Sequence, residues 1–252
     1  MQIADPSSST GDLWVYDLAR GVRTRLTFGP GSNHNPTWSP DGADIAYASD
    51  REGRTQVCRK AANATGKEER LLESALNDSP CSWSPDGRLL ALERQGAEGN
   101  FNVWILPLAG DRKPQQFLES SFRTVQPQFS PNGKWLAYAS TESGGMDVYI
   151  VPYPAGSGKW PVSTAGGAYP RWRRDGKELY YLSPDDKMMA AQIGESAGKL
   201  EVGAPRALFQ VRQIARLGAP YDVTADGSHS SSPSRLNPPP SRSRWSSTGP
   251  PN

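Results

Sequence analysis

The chain has 252 residues, enough to bury a core, but only 36% are hydrophobic, and 25 glycines with 23 prolines predict many short elements joined by turns. No apolar window approaches the roughly 18 residues of a membrane span, and the start MQIADPSSST lacks the basic and apolar regions of a secretion signal. Arg235, Arg242 and Arg244 supply +3 of a net charge of +2 from an acid-free stretch at 228–252, so the excess belongs to a tail and a nucleic-acid footprint is excluded.

Residues 1–10 read as a disordered N-terminus, and the repeats run from 11 to 227. DLWVYDLARGVRTRLTF, from Asp12, fits a third and fourth strand with no first and second before it. PTWSPDGADIAYAS follows, in which Ser39 can accept hydrogen bonds, Pro40 presets φ, Asp41 suits the third turn position and Gly42 takes the left-handed conformation. That is a type I turn with a G1 bulge. The same turn closes CSWSPDG, QPQFSPNG, YPRWRRDG and YDVTADG. Its glycines are Gly42, Gly87, Gly133, Gly176 and Gly227, spaced by 45, 46, 43 and 51 residues.

After each of the first four turns come a second strand (DIAYAS, LLALER, WLAYAS, ELYYLS), a third (QVCRKA, NVWILP, DVYIVP, KMMAAQI) and a fourth (EERLLES, PQQFLES, KWPVSTA, PRALFQV). A period near 40 to 45 residues with four short strands predicts an all-β propeller of four-stranded antiparallel blades. Four blades are complete and two are halves. The halves either close as a fifth blade, Leu13 to Phe28 pairing with Tyr221 onward, or the chain is a fragment of a six-bladed or larger ring.

NPTWSPDGADIAYASD, SWSPDGRLLAL, PQFSPNGKWLAYAS and YPRWRRDGKELYYLS resemble the TolB-type, WD-repeat-like propeller family. LARGVRTRLTF, SGGMDVYIVPYP, GKWPVSTAGGAYPRWRRDGKELYY, DKMMA and YDVTADG are similar to propeller regions behind bacterial serine/threonine kinase domains and to stand-alone TolB-like proteins. The resemblance spans roughly residues 11 to 227. It implies a ligand-sensing or protein-interaction module, and the periplasm or cell surface as the setting of a longer parent protein. Kinase chemistry does not come with it, because no glycine-rich loop, strand lysine or HRD string is present.

Residues 228–252 form a tail in which 15 of 25 residues are serine or proline, a composition that predicts disorder and no pairing with the sheet. A slip of reading frame near Gly227 would explain it. Codons rebuilt across His229 to Ser232 allow Phe-Leu-Val, and those across Ser241 to Gly249 allow Pro-Ile-Thr-Val-Val-Val-Asn-Trp, two apolar strands where the repeat needs them. Sequencing the source DNA decides the point.

No candidate catalytic residue emerges. GSGK at 156–159 lacks the phosphate-loop spacing and is followed by Trp160, and there is no GxSxG nucleophile elbow. Cys58 and Cys81 make no disulfide framework, and with His34 and His229 they form no zinc-type set. Sialidase Asp-boxes separate aspartate from glycine, whereas Asp41 and Gly42 are adjacent. Asp41, Asp86, Asn132, Asp175 and Asp226 are expected to cap their own turns rather than share a cation, so no metal and no cofactor are expected.

The repeat positions are therefore structural: Trp38, Pro40, Asp41 and Gly42; Trp83, Pro85, Asp86 and Gly87; Phe129, Pro131, Asn132 and Gly133; Trp172, Asp175 and Gly176; Asp226 and Gly227. The four aromatics are expected to pack between blades. Recognition is expected from nonrepeating loops, DREGRT at 50–55, RQGAEGNF at 94–101 and TESGGMD at 141–147. The sequence predicts a non-catalytic propeller that binds a protein or small ligand at one face. The rival is the gating propeller of a serine peptidase whose catalytic domain is not in this chain.

Overall fold

Alternating apolar and small residues, interrupted every few positions by Pro, Gly and Asp, fold into successive antiparallel sheets in a computed structural model of the chain. It describes residues 2–4, 11–17, 19–96, 99–196, 199–211, 221–223 and 230–231. The first sheet is β1 (Gln2–Ala4), β2 (Gly11–Asp17) and β3 (Val22–Arg25), in that order. Blade one is β4 (Asn33–Trp38), β5 (Asp44–Ser49), β6 (Gln56–Ala61) and β7 (Glu69–Arg70). Blade two is β8 (Asp78–Trp83), β9 (Leu89–Gln95), β10 (Phe101–Pro107) and β11 (Gln115–Gln116). Blade three is β12 (Thr124–Phe129), β13 (Trp135–Ser140), β14 (Asp147–Pro152) and β15 (Trp160–Pro161). Blade four is β16 (Ala168–Trp172), β17 (Glu178–Leu182), β18 (Lys187–Ser196), β19 (Lys199–Val202) and β20 (Arg206–Gln210), followed by a two-stranded sheet of β21 (Asp222–Val223) and β22 (Ser230–Ser231). The all-β class and the four-stranded blades are as the repeat predicts.

The core lies between blades, because each second strand sends alternate residues to opposite neighbours. Ala46 of β5 packs with Leu90 and Leu92 of the following blade, while Ile45 and Tyr47 pack with Leu13 and Leu26 of the preceding sheet. Blades two and three meet at Ala91, Phe129, Leu136 and Tyr138, and blades three and four at Trp135, Ala137, Leu179 and Tyr181. The inner strands β4, β8, β12 and β16 contact one another in sequence, and β21 contacts β16, so these strands follow one another around the propeller axis.

The repeated turn has the geometry its residues dictate. Gly42, Gly87, Gly133 and Gly176 have φ of 70°, 71°, 70° and 73°. The Ser39 hydroxyl donates to the Asp41 carboxylate at 2.6 Å and accepts from Asp44 N–H at 2.9 Å, and Ser84 and Ser130 repeat both bonds. In blade four Arg173 stands in for the serine and donates from Nε to Asp175 at 2.8 Å. The turns also stack around the ring. Pro40 lies against Gly87, Pro85 against Gly133 and Pro131 against Gly176.

Four features differ from the sequence expectation. Gln2–Ala4, inside the stretch expected to be disordered, pair with Gly11–Leu13 and supply the second strand thought missing from the first sheet. Ser230–Ser231 of the tail pair with Asp222–Val223, since backbone pairing does not require an apolar side chain. The third strand of blade four runs on to Ser196 and folds back as β19 before the fourth strand, β20, returns to Lys187–Ala190. Among the described residues β1–β3 and β21–β22 stay separate sheets, so the five-bladed closure is not formed. Asp226, Gly227 and, apart from Ser230–Ser231, the residues affected by the proposed frame slip near Gly227 lie outside the described residues.

The repeated aromatic divides. Trp83 and Phe129 are 8% and 6% exposed, Trp172 is half-buried, and Trp38 is 48% exposed. The Trp83 indole N–H donates back to Thr37 O at 3.2 Å and that of Trp172 to Gln128 O at 3.1 Å, each time on the inner strand of the blade before. Trp38 follows the three-stranded sheet, whose described residues include no inner strand, so its ring has no such partner to cover it.

Candidate functional site

The inner strands are bent by bulges just above the turns: the register shifts between His34 and Thr37, Pro80 and Ser82, Val125 and Gln128, and Ala168 and Arg171. Asn35, Gln126 and Tyr169 at these bulges have φ of 50°, 58° and 58°, a left-handed conformation uncommon for residues other than glycine. A bulge withdraws a backbone N–H from its ladder, and that N–H must find another acceptor. In blades three and four it is met by a side chain of the blade before. Glu93 Oε1 on β9 accepts from Gln126 N–H at 2.6 Å, and Gln126 Oε1 accepts from Tyr169 N–H at 2.6 Å. Tyr221 OH then donates to Tyr169 O at 2.7 Å. The result is a polar relay through blades two, three and four to the strand beyond.

Two residues break the repeat here. Glu93 occupies the position held by Ala48, Ala139 and Leu182 in the other blades, placing a carboxylate where the fold elsewhere buries an apolar group. Burial pushes its carboxyl above the usual range, opposed by the Gln126 N–H, the Cys81 thiol and the charges of Arg123 and Arg171. The Cys81 S–H donates to Glu93 Oε1 at 3.6 Å, and Gln128 Nε2 donates to Cys81 O at 3.0 Å. Burial and the Glu93 charge raise the thiol well above its ordinary value, so Cys81 is a packed donor rather than a nucleophile.

Arg171 is the second departure, in the place of Thr37, Ser82 and Gln128. It is half-buried, and its Nη1 donates to Pro170 O at 2.9 Å. Its charge favours the ionised forms of Glu93, Cys81 and Tyr221, which belong to blade two and to the segment after blade four, so the guanidinium serves several blades at once.

The turn residues sit apart from this cluster. Asp41, Asp86, Asn132 and Asp175 each cap their own turn, and serine hydroxyls lower the carboxyls of Asp41 and Asp86. Among the described residues no three His, Cys, Asp or Glu side chains are grouped to hold a metal. The loops 50–55, 94–101 and 141–147 join second to third strands. Arg51 turns inward to Asn33 and Glu68, and Glu142 is tied to Lys159 at 2.7 Å. Residues 97 and 98 lie outside the described set.

A concavity of about 780 Å³ opens between blades three and four, lined by Trp135, Trp172, Lys177 and Glu201. Its charges are largely spent on one another, Arg173 on Asp175 and Glu178, and Lys134 on Glu195. Sequence reasoning missed the axis because it read down each blade. Comparing blades at one position would have found Glu93 and Arg171.

Residues 2–95 match the family described as the TolB beta propeller domain. The chain is 30% identical over 168 residues to the Tol-Pal system protein TolB of Francisella tularensis subsp. holarctica (strain OSU18), a match covering 64% of this chain and 37% of that protein. It is 25% identical over 187 residues to the uncharacterized peptidase YuxL of Bacillus subtilis (strain 168), covering 58% of this chain and 28% of that one. The chain thus spans well under half the length of these relatives. Among solved structures, TolB from Acinetobacter baumannii superposes with a TM-score of 0.65 at 20% identity, over 82% of this chain and 52% of that chain. That likeness is of fold: the chain is a β-propeller, and its match to the TolB beta propeller family lies over residues 2–95.

Proposed function

We propose that the chain is a non-catalytic interaction module that takes a protein segment at the propeller axis, in the manner of the sensor region of a bacterial serine/threonine kinase or of a TolB-like protein outside the cytoplasm. One observation carries this reading: the turns repeat from blade to blade, while at the axis the positions of Gln126 and Tyr169 and of Arg171 hold a different residue in each blade, and Glu93 replaces an apolar residue. A rigid scaffold presenting unlike polar groups at one place suits recognition. The match to a Tol-Pal system protein supports a protein as the ligand.

Panning a random 12-residue peptide library tests the reading. Enriched peptides should lose at least tenfold in affinity for Gln128→Trp, which fills the axis, and keep it for Lys177→Ala at the concavity between blades three and four. Retention by Gln128→Trp, with thermal unfolding unchanged, would contradict the proposal. The match to YuxL favours a second reading, a propeller that gates a peptidase. An α/β-hydrolase domain encoded downstream would support it, and a kinase with a membrane span upstream would support the first.

A further inference from the structure

Buried and half-buried arginines in this fold come with a carboxylate. Arg25 pairs with Asp12, Arg51 with Glu68, Arg59 with Glu69, Arg94 with Asp78, Arg112 with Glu69 and Arg173 with Glu178. Arg171 is also half-buried, yet no carboxylate of a described residue lies within 4 Å of it. Its Nη1 donates one of five N–H bonds to the carbonyl of the preceding residue. A half-buried guanidinium with no carboxylate in direct contact keeps donors that an incoming anion can take.

The surroundings have the matching sign. Arg123, stacked 5.4 Å over the Phe101 ring, adds a second positive charge that acts on Glu93. Of the two acids nearby, Glu93 has Oε1 committed to Gln126 N–H and Cys81, and the charge of Asp222 acts on Tyr221. The other blades carry uncharged residues at the Arg171 position, so the guanidinium is not needed to build a blade.

We propose that Arg171 is the anchor of a carboxylate-binding site at the propeller axis, and that its occupant is an acidic peptide segment. The planar guanidinium can take a carboxylate by two parallel N–H bonds, the geometry in which arginine is most selective. Gln128 and Tyr169, on the same inner strands, flank the site. This inference rests on the reading of the axis as the binding surface and adds the chemistry of what enters it.

Three probes separate the sources of a carboxylate: an acetylated, amidated tetra-aspartate, a tetra-serine with a free C-terminus, and succinate. Isothermal titration of the full chain at low salt should show saturable binding of tetra-aspartate, weakened at least tenfold in Arg171→Gln and partly restored in Arg171→Lys. An amidated tetra-lysine should not bind. Because Arg171→Gln could perturb the fold, the Arg171 side-chain Hε resonance of the unmutated protein is followed in parallel and should shift on adding tetra-aspartate. If no probe moves that resonance, or if Arg171→Gln binds tetra-aspartate as the unmutated chain does, the inference falls. Preference for the free C-terminus or for succinate overturns the acidic segment as occupant. Should library peptides still depend on Gln128 while no carboxylate binds, the axis remains the binding surface and only its proposed chemistry is lost.

Discussion

The turns and the axis are built from the same blades, a few residues apart, and they obey opposite rules. At the turns every blade solves one problem in one way, with a serine or arginine, an aspartate or asparagine, and a glycine at φ near +70°. At the axis the bulged N–H groups of blades three and four are met by different groups, a carboxylate in one case and an amide in the next. Uniformity marks what closes a hairpin. Variation at a fixed place in the scaffold marks what is free to be specific.

The contrast can be broken most severely at the start of β8. Asp78 is fully buried and grips Arg94 at 2.6 and 3.3 Å, with Arg94 in turn 4.6 Å over the Trp104 ring. Asp78→Ala strands a buried guanidinium, and urea denaturation should show a loss of about 3–5 kcal/mol. The repeated aromatic gives a paired test of similar size. Trp83→Ala should cost about 3–5 kcal/mol by opening the interface between blades one and two. Trp38→Ala, at the same repeat position but exposed, should stay within about 0.5 kcal/mol. Equal losses at the two tryptophans would mean that Trp38 is covered in solution.

Gly87→Ala should cost about 1–2 kcal/mol, the price of a left-handed conformation for an L-residue. Sterics add little, because the nearest atom to the new methyl would be Pro40 Cδ at 3.9 Å. The smallest effects are those of pH, and they carry opposite signs in the two regions. The Arg173 guanidinium holds the Asp175 carboxyl down at about 2, against an ordinary 3.8, so the stability it adds is present above 3.8 and lost as pH falls toward 2. Burial holds Glu93 above its ordinary 4.5. The native state therefore binds that proton more tightly than the unfolded chain, and stability is greatest below 4.5 and declines as pH rises through the raised value. Glu93→Gln should flatten that decline in thermal melts across pH 4 to 8, and Asp175→Asn should flatten the acid limb instead.

The fold was legible because its signal is redundant. Four spaced copies of one turn fix strand order, and the hairpin residues leave little choice of conformation at Gly42 or Gly133. What the sequence hid was non-local or backbone-driven. Gln2–Ala4 form a strand because β2 offers an edge, not because QIA has a strand pattern, and β19 exists because β18 overruns its blade. The axis cluster was hidden differently. Glu93 lies next to the loop singled out at 94–101, yet its meaning appears only once Gln126, 33 residues away, is brought to it by the ring. Trp38 shows the same limit, since its exposure depends on the sheet before it and not on its own neighbours.

The most direct test of the account is a crystal structure of the chain with the tetra-aspartate peptide. A carboxylate paired with Arg171 at the axis, within hydrogen-bond distance of the guanidinium and beside Gln128 and Tyr169, is the result predicted. Peptide seated instead in the concavity between blades three and four, over Trp172 and Lys177, would contradict the claim that recognition belongs to the axis.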